Sequence, residues 1–190
     1  MPLPRFSQVS TPRTTLREVS GADLPDLLEI NGDPEVTRYL PYATWASDSD
    51  ATAWLERMQA LGMSGNARQL VIARNEDDKV IGTVLLFKYD EGSNRVELGY
   101  VIGRRHWRRG YAAEALGALL DYLFGAMGIR RVEAEVNPEN AASNALLRKL
   151  GFTHEGFLRE RWVAKGETYG VNVYGLLADD RVRGPDGEEG

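Results

Sequence analysis

The feature that most constrains this chain is a strand, a basic turn, an apolar helix and a second strand in direct succession. Val96–Ile102 reads as a strand, and Gly103–Gly110 as a short turn rich in arginine. Tyr111 starts a helix to about Met127, on which Ala115, Leu116, Leu119, Leu120, Leu123 and Phe124 make one wide apolar face. Gly128 ends it. Arg130–Val136 then alternates, with Val132, Ala134 and Val136 on one face and Arg131, Glu133 and Glu135 on the other. A strand, helix and strand in this order predict a crossover joining two roughly parallel neighbours.

The turn before the helix is a candidate anion cradle. The first backbone N–H groups of a helix have no partner within it, and the helix dipole favours negative charge there. Gly110 and Ala112 let a phosphate approach the backbone closely, and Arg104, Arg105, Arg108 and Arg109 surround them. The chain carries a formal net charge of −5, so this basic turn stands out as a local anion site, and nucleic acid is not expected as the primary partner. Neither Gly-x-x-x-x-Gly-Lys-[Ser/Thr] nor, at this turn, Gly-x-Gly-x-x-Gly occurs. The absence of cysteine excludes disulfides, thiolate catalysis and cysteine-ligated metal, and two histidines do not make a histidine-rich metal site. No apolar signal core or membrane-length run is present, so a cytoplasmic protein without membrane attachment is expected.

The rest of the chain is expected to form one domain of about residues 13–178, between a loose arm at 1–12 and a disordered tail at 179–190. Thr14–Val19 alternates as a strand, Asp23 can cap a helix through Ile30, and further helices are expected at 35–40 and from Asp48 or Asp50 to Leu61. Gln69–Arg74, Val80–Tyr89 and Arg95–Ile102 form an antiparallel meander, and strands at about 153–164 and 168–177 close the chain. Trp54 reads as core, whereas Tyr42 and Trp45, in a loop, are candidates to line a substrate groove.

Trp107-Arg108-Arg109-Gly110-Tyr111-Ala112 resembles the pyrophosphate-binding motif Gln/Arg-x-x-Gly-x-Gly/Ala of the GNAT superfamily of acetyl-CoA-dependent N-acetyltransferases. Trp107 stands at the Gln/Arg position, a variant similar to the branch that acetylates ribosomal-protein N-termini. A second segment, Asn137 to Phe152, resembles the family signature Asn-x-x-[Ala/Ser]…Leu-Gly-Phe, with Asn140 placed to cap a helix and Gly151 to stop it. The resemblance spans roughly Thr14 to Leu177. It implies an α/β fold with a seven-stranded, mostly antiparallel sheet, splayed open to admit the pantetheine arm of acetyl-CoA and flanked by helices.

Carried over by residue, the resemblance implies that Val101 and Ile102 contact pantetheine through their backbone. Arg108, Arg109, Gly110, Tyr111 and Ala112 would hold the pyrophosphate, and Asn137, Asn140, Ser143 and Asn144 would flank the thioester end and the cofactor's far side. Transfer of an acetyl group to an amine needs a base, a polarised carbonyl and a proton for the leaving thiolate. Glu97, sharing a strand face with Gly99 and Val101, is the candidate base; the alternative is a Glu97 satisfied by one of the nearby arginines, and Glu133 and Glu135 are rivals. The tyrosine that many members use as acid is replaced here by Leu147, and Ser143 is the candidate acid. His154 reads as structural. Gly170 stands where related members often carry an aspartate, with Asn172 the nearest polar substitute.

The expected reaction is acetylation of a protein or peptide α-amine. A small amine such as an aminoglycoside, polyamine or amino-acid-like compound, a non-catalytic acyl-CoA-binding module, and nucleotide binding at the arginine turn are the alternatives. A homodimer is a further expectation from the resemblance.

Overall fold

The computed structural model describes residue 3 and residues 6–183. Eight strands form one sheet: β1 (Val9–Ser10), β2 (Thr14–Glu18), β3 (Arg68–Arg74), β4 (Val80–Asp90), β5 (Arg95–Ile102), β6 (Arg131–Val136), β7 (Thr153–Ala164) and β8 (Glu167–Leu177). Their order across the sheet is β1-β2-β3-β4-β5-β6-β8-β7. All neighbours are antiparallel except β5 and β6, which are parallel, as the crossover requires. Seven of these strands are those expected. The eighth, β1, comes from the arm.

That arm is therefore not loose. Val9 and Ser10 pair with Leu16 and Thr15, Leu3 is fully buried, and the Phe6 ring meets Tyr122 edge-on. Pro, Ser and Thr content signalled a loop, but the short apolar positions between them find a core to enter. The tail is corrected in the same way over its first residues. Helix α6 (Ala178–Arg183) continues directly from β8, and Arg181 pairs with Asp121 while donating to the Gly117 carbonyl. Residues 184–190 lie outside the described residues.

Helices cover both faces of the sheet. On one side lie α1 (Leu24–Asn31), α2 (Pro34–Thr37) and α3 (Asp48–Met63), whose Leu27, Ile30, Trp54 and Leu55 pack with Val71 and Val80. On the other lie α4 (Tyr111–Gly125) and α5 (Ala141–Lys149). Leu116, Leu119, Leu120 and Leu123 of α4 are all but completely buried against Val96, Leu98, Val132 and Ala134. Two cores thus hold a single sheet between them, and parity along each strand decides which core a side chain joins.

Two loop aromatics expected at a groove belong to the first core. Trp45 is 6% exposed and packs on Trp54 at 5.6 Å between ring centroids. The Tyr42 hydroxyl donates to Asn31 Oδ1, and burial pushes its pKa up. The large aromatic area makes burial more favourable than exposure on a polar loop. Trp54 is core, as read from the sequence.

The parallel pair is short. Arg95, Val96 and Glu97 pair with Arg131, Val132 and Glu133, and there the ladder stops. Beyond it, Leu98–Ile102 pair only with β4, while Ala134–Val136 pair only with β8. The two strands diverge, leaving a gap in the middle of the sheet with unpaired strand backbone along its β5 side. Hydrogen-bonding groups facing such a gap favour an extended polar ligand.

Candidate active site

At the end of the gap, the turn leading to α4 has the geometry of an anion site. Gly110 is the N-cap of α4 at φ 81°, in the left-handed region, and no side chain caps the helix. Arg108 is also left-handed, at φ 58°. Left-handed residues in a turn aim successive N–H groups into one concavity, and the first helical bond, Glu114 N–H to the Gly110 carbonyl, leaves those of Tyr111, Ala112 and Ala113 unused by the helix.

The four arginines divide. Arg105 pairs with Glu29 at 2.9 Å and Arg104 lies 3.8 Å from Asp33, so both brace the turn against α1 and the start of α2. The side chains of Arg108 and Arg109 are exposed and make no ion pair among the described residues, which keeps them available to an anion. Trp107 is exposed and its indole N–H donates to the Ile102 carbonyl at 2.7 Å. That contact ties the end of β5 to the turn and occupies a lone pair of a carbonyl expected to face pantetheine.

A fifth arginine, Arg13, was not legible locally. Its guanidinium donates to the Arg109 carbonyl, lies 4.7 Å from the Tyr111 ring centroid, and pairs with Glu114 at 2.6 Å. Glu114 sits in the first turn of α4, where its charge would oppose a phosphate. Burial alone would raise its pKa, but hydrogen bonds from Thr11 and Arg13 outweigh this and hold the carboxyl below its ordinary value. Arg13 thus neutralises Glu114 and fastens the arm to the cradle.

Three carboxylates flank the start of the gap, and their environments separate them. Burial pushes Glu133 up, yet hydrogen bonds from Arg131 and Arg95 bring it below the ordinary value. Glu135 follows the same pattern, with Arg161 and the Trp162 indole donating to it. Glu97 is 6% exposed, and there burial wins: its pKa is raised despite a 2.7 Å hydrogen bond from Lys88, with Glu135 and Glu133 adding repulsion. The cation at Glu97 is a lysine, not one of the arginines expected from the sequence. Among the three, Glu97 is the carboxylate held closest to neutrality in its proton affinity, as a general base requires.

Tyr100, of opposite parity, faces the α4–α5 side and shares a 2.7 Å hydrogen bond with Ser143 Oγ. Burial pushes the Tyr100 phenol up to about 12, so it remains protonated at neutral pH. Glu97 and the Tyr100–Ser143 pair therefore stand on the two faces of β5, with the gap running between them. Leu147, at the family's tyrosine position, is fully buried in the core. Tyr100 could be found in sequence only as a strand residue; its meeting with Ser143 depends on how α5 packs.

The asparagines of the second segment hold the backbone. Asn140 caps α5 by accepting from Ser143 N–H, and Asn137 Oδ1 accepts from Glu139 N–H. Asn144, carried over as a cofactor contact, is buried. Its amide donates to the Asn137 and Asn140 carbonyls, and its oxygen accepts from Asn172 and the Tyr174 hydroxyl, which fills its hydrogen-bonding capacity. Asn172, the polar substitute nearest Gly170, uses its amide N–H on Asn144. At Gly170 itself a Cβ would collide with the Phe157 ring, so any side chain is excluded there. His154 packs on Tyr174. Asn144→Ala should destabilise the fold by about 1–3 kcal/mol, because it strands the buried Tyr174 hydroxyl and takes the acceptor from the Asn172 amide, while the Asn137 and Asn140 carbonyls keep their backbone partners. Urea unfolding measures this, and an unchanged midpoint would show that the network does not hold α5.

Among the described residues there is no group of side chains able to hold a metal, and no helix is long and apolar enough to cross a membrane. Residues 13–153 match the family model described as an acetyltransferase (GNAT) domain. The N-acetyltransferase p20 of Bacillus licheniformis is 38% identical over 167 residues, 88% of this chain and 94% of its own. Two more distant relatives, each 24% identical, are the ribosomal-protein-serine acetyltransferase of Escherichia coli, over 71% of this chain and 74% of its own, and the spermidine N(1)-acetyltransferase of Vibrio cholerae, over 86% and 92%. The crystal structure of a GNAT-family acetyltransferase from Bacillus anthracis shares the fold, with a TM-score of 0.80 at 24% identity, covering 91% of this chain and 99% of that one. With the crossover, the split sheet and the uncapped helix above, these matches establish that the chain belongs to the GNAT family and is an acetyl-CoA-dependent N-acetyltransferase.

Proposed function

We propose that the acceptor is a single primary amine, the N-terminal α-amine of a protein or peptide, rather than a polyamine. The observation that carries this reading is the charge balance around Glu97. Glu133, Glu135 and Glu155 each have arginine partners, supplied by Arg95, Arg131 and Arg161, and Lys88 is shared between Glu97 and Glu135. Each of these carboxylates keeps a cation of the chain within 4 Å, with Asp90 sharing Arg95, so none is left without an internal partner to hold the second ammonium of a polycation. The two named relatives differ in acceptor, one a ribosomal protein and the other spermidine, and this balance favours the first type.

In the mechanism, acetyl-CoA lies in the gap with its pyrophosphate at the Gly110 turn, on the N–H groups of Tyr111 and Ala112 and between Arg108 and Arg109. Val101 and Ile102 line its pantetheine, while Asn137 and Asn140 shape the loop beside the thioester. Glu97 accepts a proton from the acceptor ammonium, and the neutral amine attacks the acetyl carbonyl carbon. Collapse of the tetrahedral intermediate breaks the C–S bond, and the Ser143 hydroxyl, backed by Tyr100, protonates the thiolate and is restored by the second proton that the nitrogen loses as the amide forms.

Release of the CoA thiol, measured with a free-N-terminus peptide set and with spermidine, tests the acceptor. The peptides should exceed spermidine in kcat/KM by roughly tenfold or more, the discrimination expected of about 1.4 kcal/mol. Preference for spermidine would assign the acceptor to small polyamines.

A further inference from the structure

We propose that Lys88 is a self-acetylation site, modified by the enzyme's own acetyl-CoA in the absence of another acceptor. This rests on the reading of Glu97 as the base. The Lys88 ammonium lies 2.7 Å from Glu97 Oε2 and 3.8 Å from Glu135 Oε1. It therefore bridges from the β5 side of the gap to the β6 side, in the position an acceptor ammonium must take to lose its proton to Glu97.

The backbone is built to bring it there. Lys88 sits where the β4–β5 register shifts between Phe87 and Asp90, and its own φ is 51°, left-handed. A bulge inserts a residue into a strand and re-aims a side chain. A non-glycine residue in this region is strained and persists only where other contacts hold it. The Phe87 ring, 5.2 Å from Nζ, and the Trp162 ring, 5.8 Å away, flank the amine with aromatic faces. The other three lysines of the chain are placed differently. Lys79 pairs with Asp26 and Glu29, Lys165 donates to the Thr37 carbonyl, and Lys149 lies in the last turn of α5.

The step balances with acetyl-CoA as donor. Lys88 Nζ loses a proton to Glu97 and forms an amide bond with the acetyl carbonyl carbon. The thioester C–S bond breaks and the CoA thiolate leaves, taking a proton from Ser143; the second proton that the nitrogen loses as the amide forms restores the Ser143 hydroxyl, and Glu97 returns the first to solvent. The product is uncharged Nε-acetyl-lysine, which leaves Glu97 and Glu135 without their shared cation.

The full chain, incubated with deuterium-labelled acetyl-CoA and no acceptor, would be digested and its peptides read by mass spectrometry. The heavy acetyl group distinguishes new modification from any acquired during expression. Label should collect at Lys88 with a rate constant unchanged over a tenfold range of protein concentration. Lys88→Arg, which keeps the cation, should lose it. Glu97→Gln should slow it by roughly 100-fold, as loss of a general base does, while calorimetry shows acetyl-CoA still bound.

Equal labelling of all four lysines, insensitive to Glu97→Gln, would be chemical acetylation and would overturn the proposal. So would a rate that rises with protein concentration, or no label on Lys88 in protein that binds acetyl-CoA and acetylates a peptide. A wild type that acetylates no amine at all would instead refute the reading of Glu97 on which the proposal rests.

Discussion

Gly110→Glu should abolish measurable acetyl-CoA binding in calorimetry. The glycine is left-handed at φ 81°, and an added Cβ would stand 3.3 Å from the Arg13 guanidinium, beside the uncapped N–H groups of α4. A carboxylate there meets the pyrophosphate directly. Two unit charges about 4 Å apart at an effective dielectric of about 20 repel by about 4 kcal/mol, nearly three decades of affinity at about 1.4 kcal/mol per decade. Screening at this exposed turn reduces the figure, and a loss of roughly 100-fold is the least expected. Backbone strain is separable from charge: Gly110→Ala carries the same left-handed cost of about 1–2 kcal/mol to stability but should keep affinity within about tenfold. Equal losses in the two variants would place the pyrophosphate elsewhere.

The second large effect belongs to Glu97. Glu97→Gln keeps the shape and removes the base, and kcat/KM should fall by about 10²- to 10⁴-fold. The pH profile gives the sign. Burial raises the Glu97 pKa, so the wild-type rate should fall as pH drops through a value above the ordinary glutamate range, where the carboxylate takes up a proton. That acid limb should vanish in the glutamine variant. If Glu135→Gln removed it instead, the base would be Glu135, although its arginine and tryptophan partners hold that carboxyl low.

Most of the strands and helices were legible because their periods are strong and their ends are marked. The alternation of β6, the apolar face of α4 and the stops at Gly128 and Gly151 are local properties, and each element formed within a few residues of its expected bounds. Gly110 was legible as the small residue of the turn entering α4, whereas its left-handed φ was not, since an N-cap ordinarily lies in the β region. Tyr42 and Trp45 misled because loop position says nothing about what packs above the loop. Asn144 matched a family pattern, and its hydrogen bonds to Asn172 and Tyr174 of β8 became visible only in the folded chain.

The sequence by itself determined the crossover, the glycine turn before α4 and the parity that puts Glu97 and Tyr100 on opposite sides of β5. Each follows from chain chemistry over a few residues. Only the tertiary structure decided which cation each carboxylate keeps, that Arg13 reaches the turn from the link between β1 and β2, that Ser143 meets Tyr100, and that Lys88 stands across the gap. These contacts join residues far apart in the chain, and their energies depend on burial and distance. Neither quantity exists until the strands have diverged and the helices have packed.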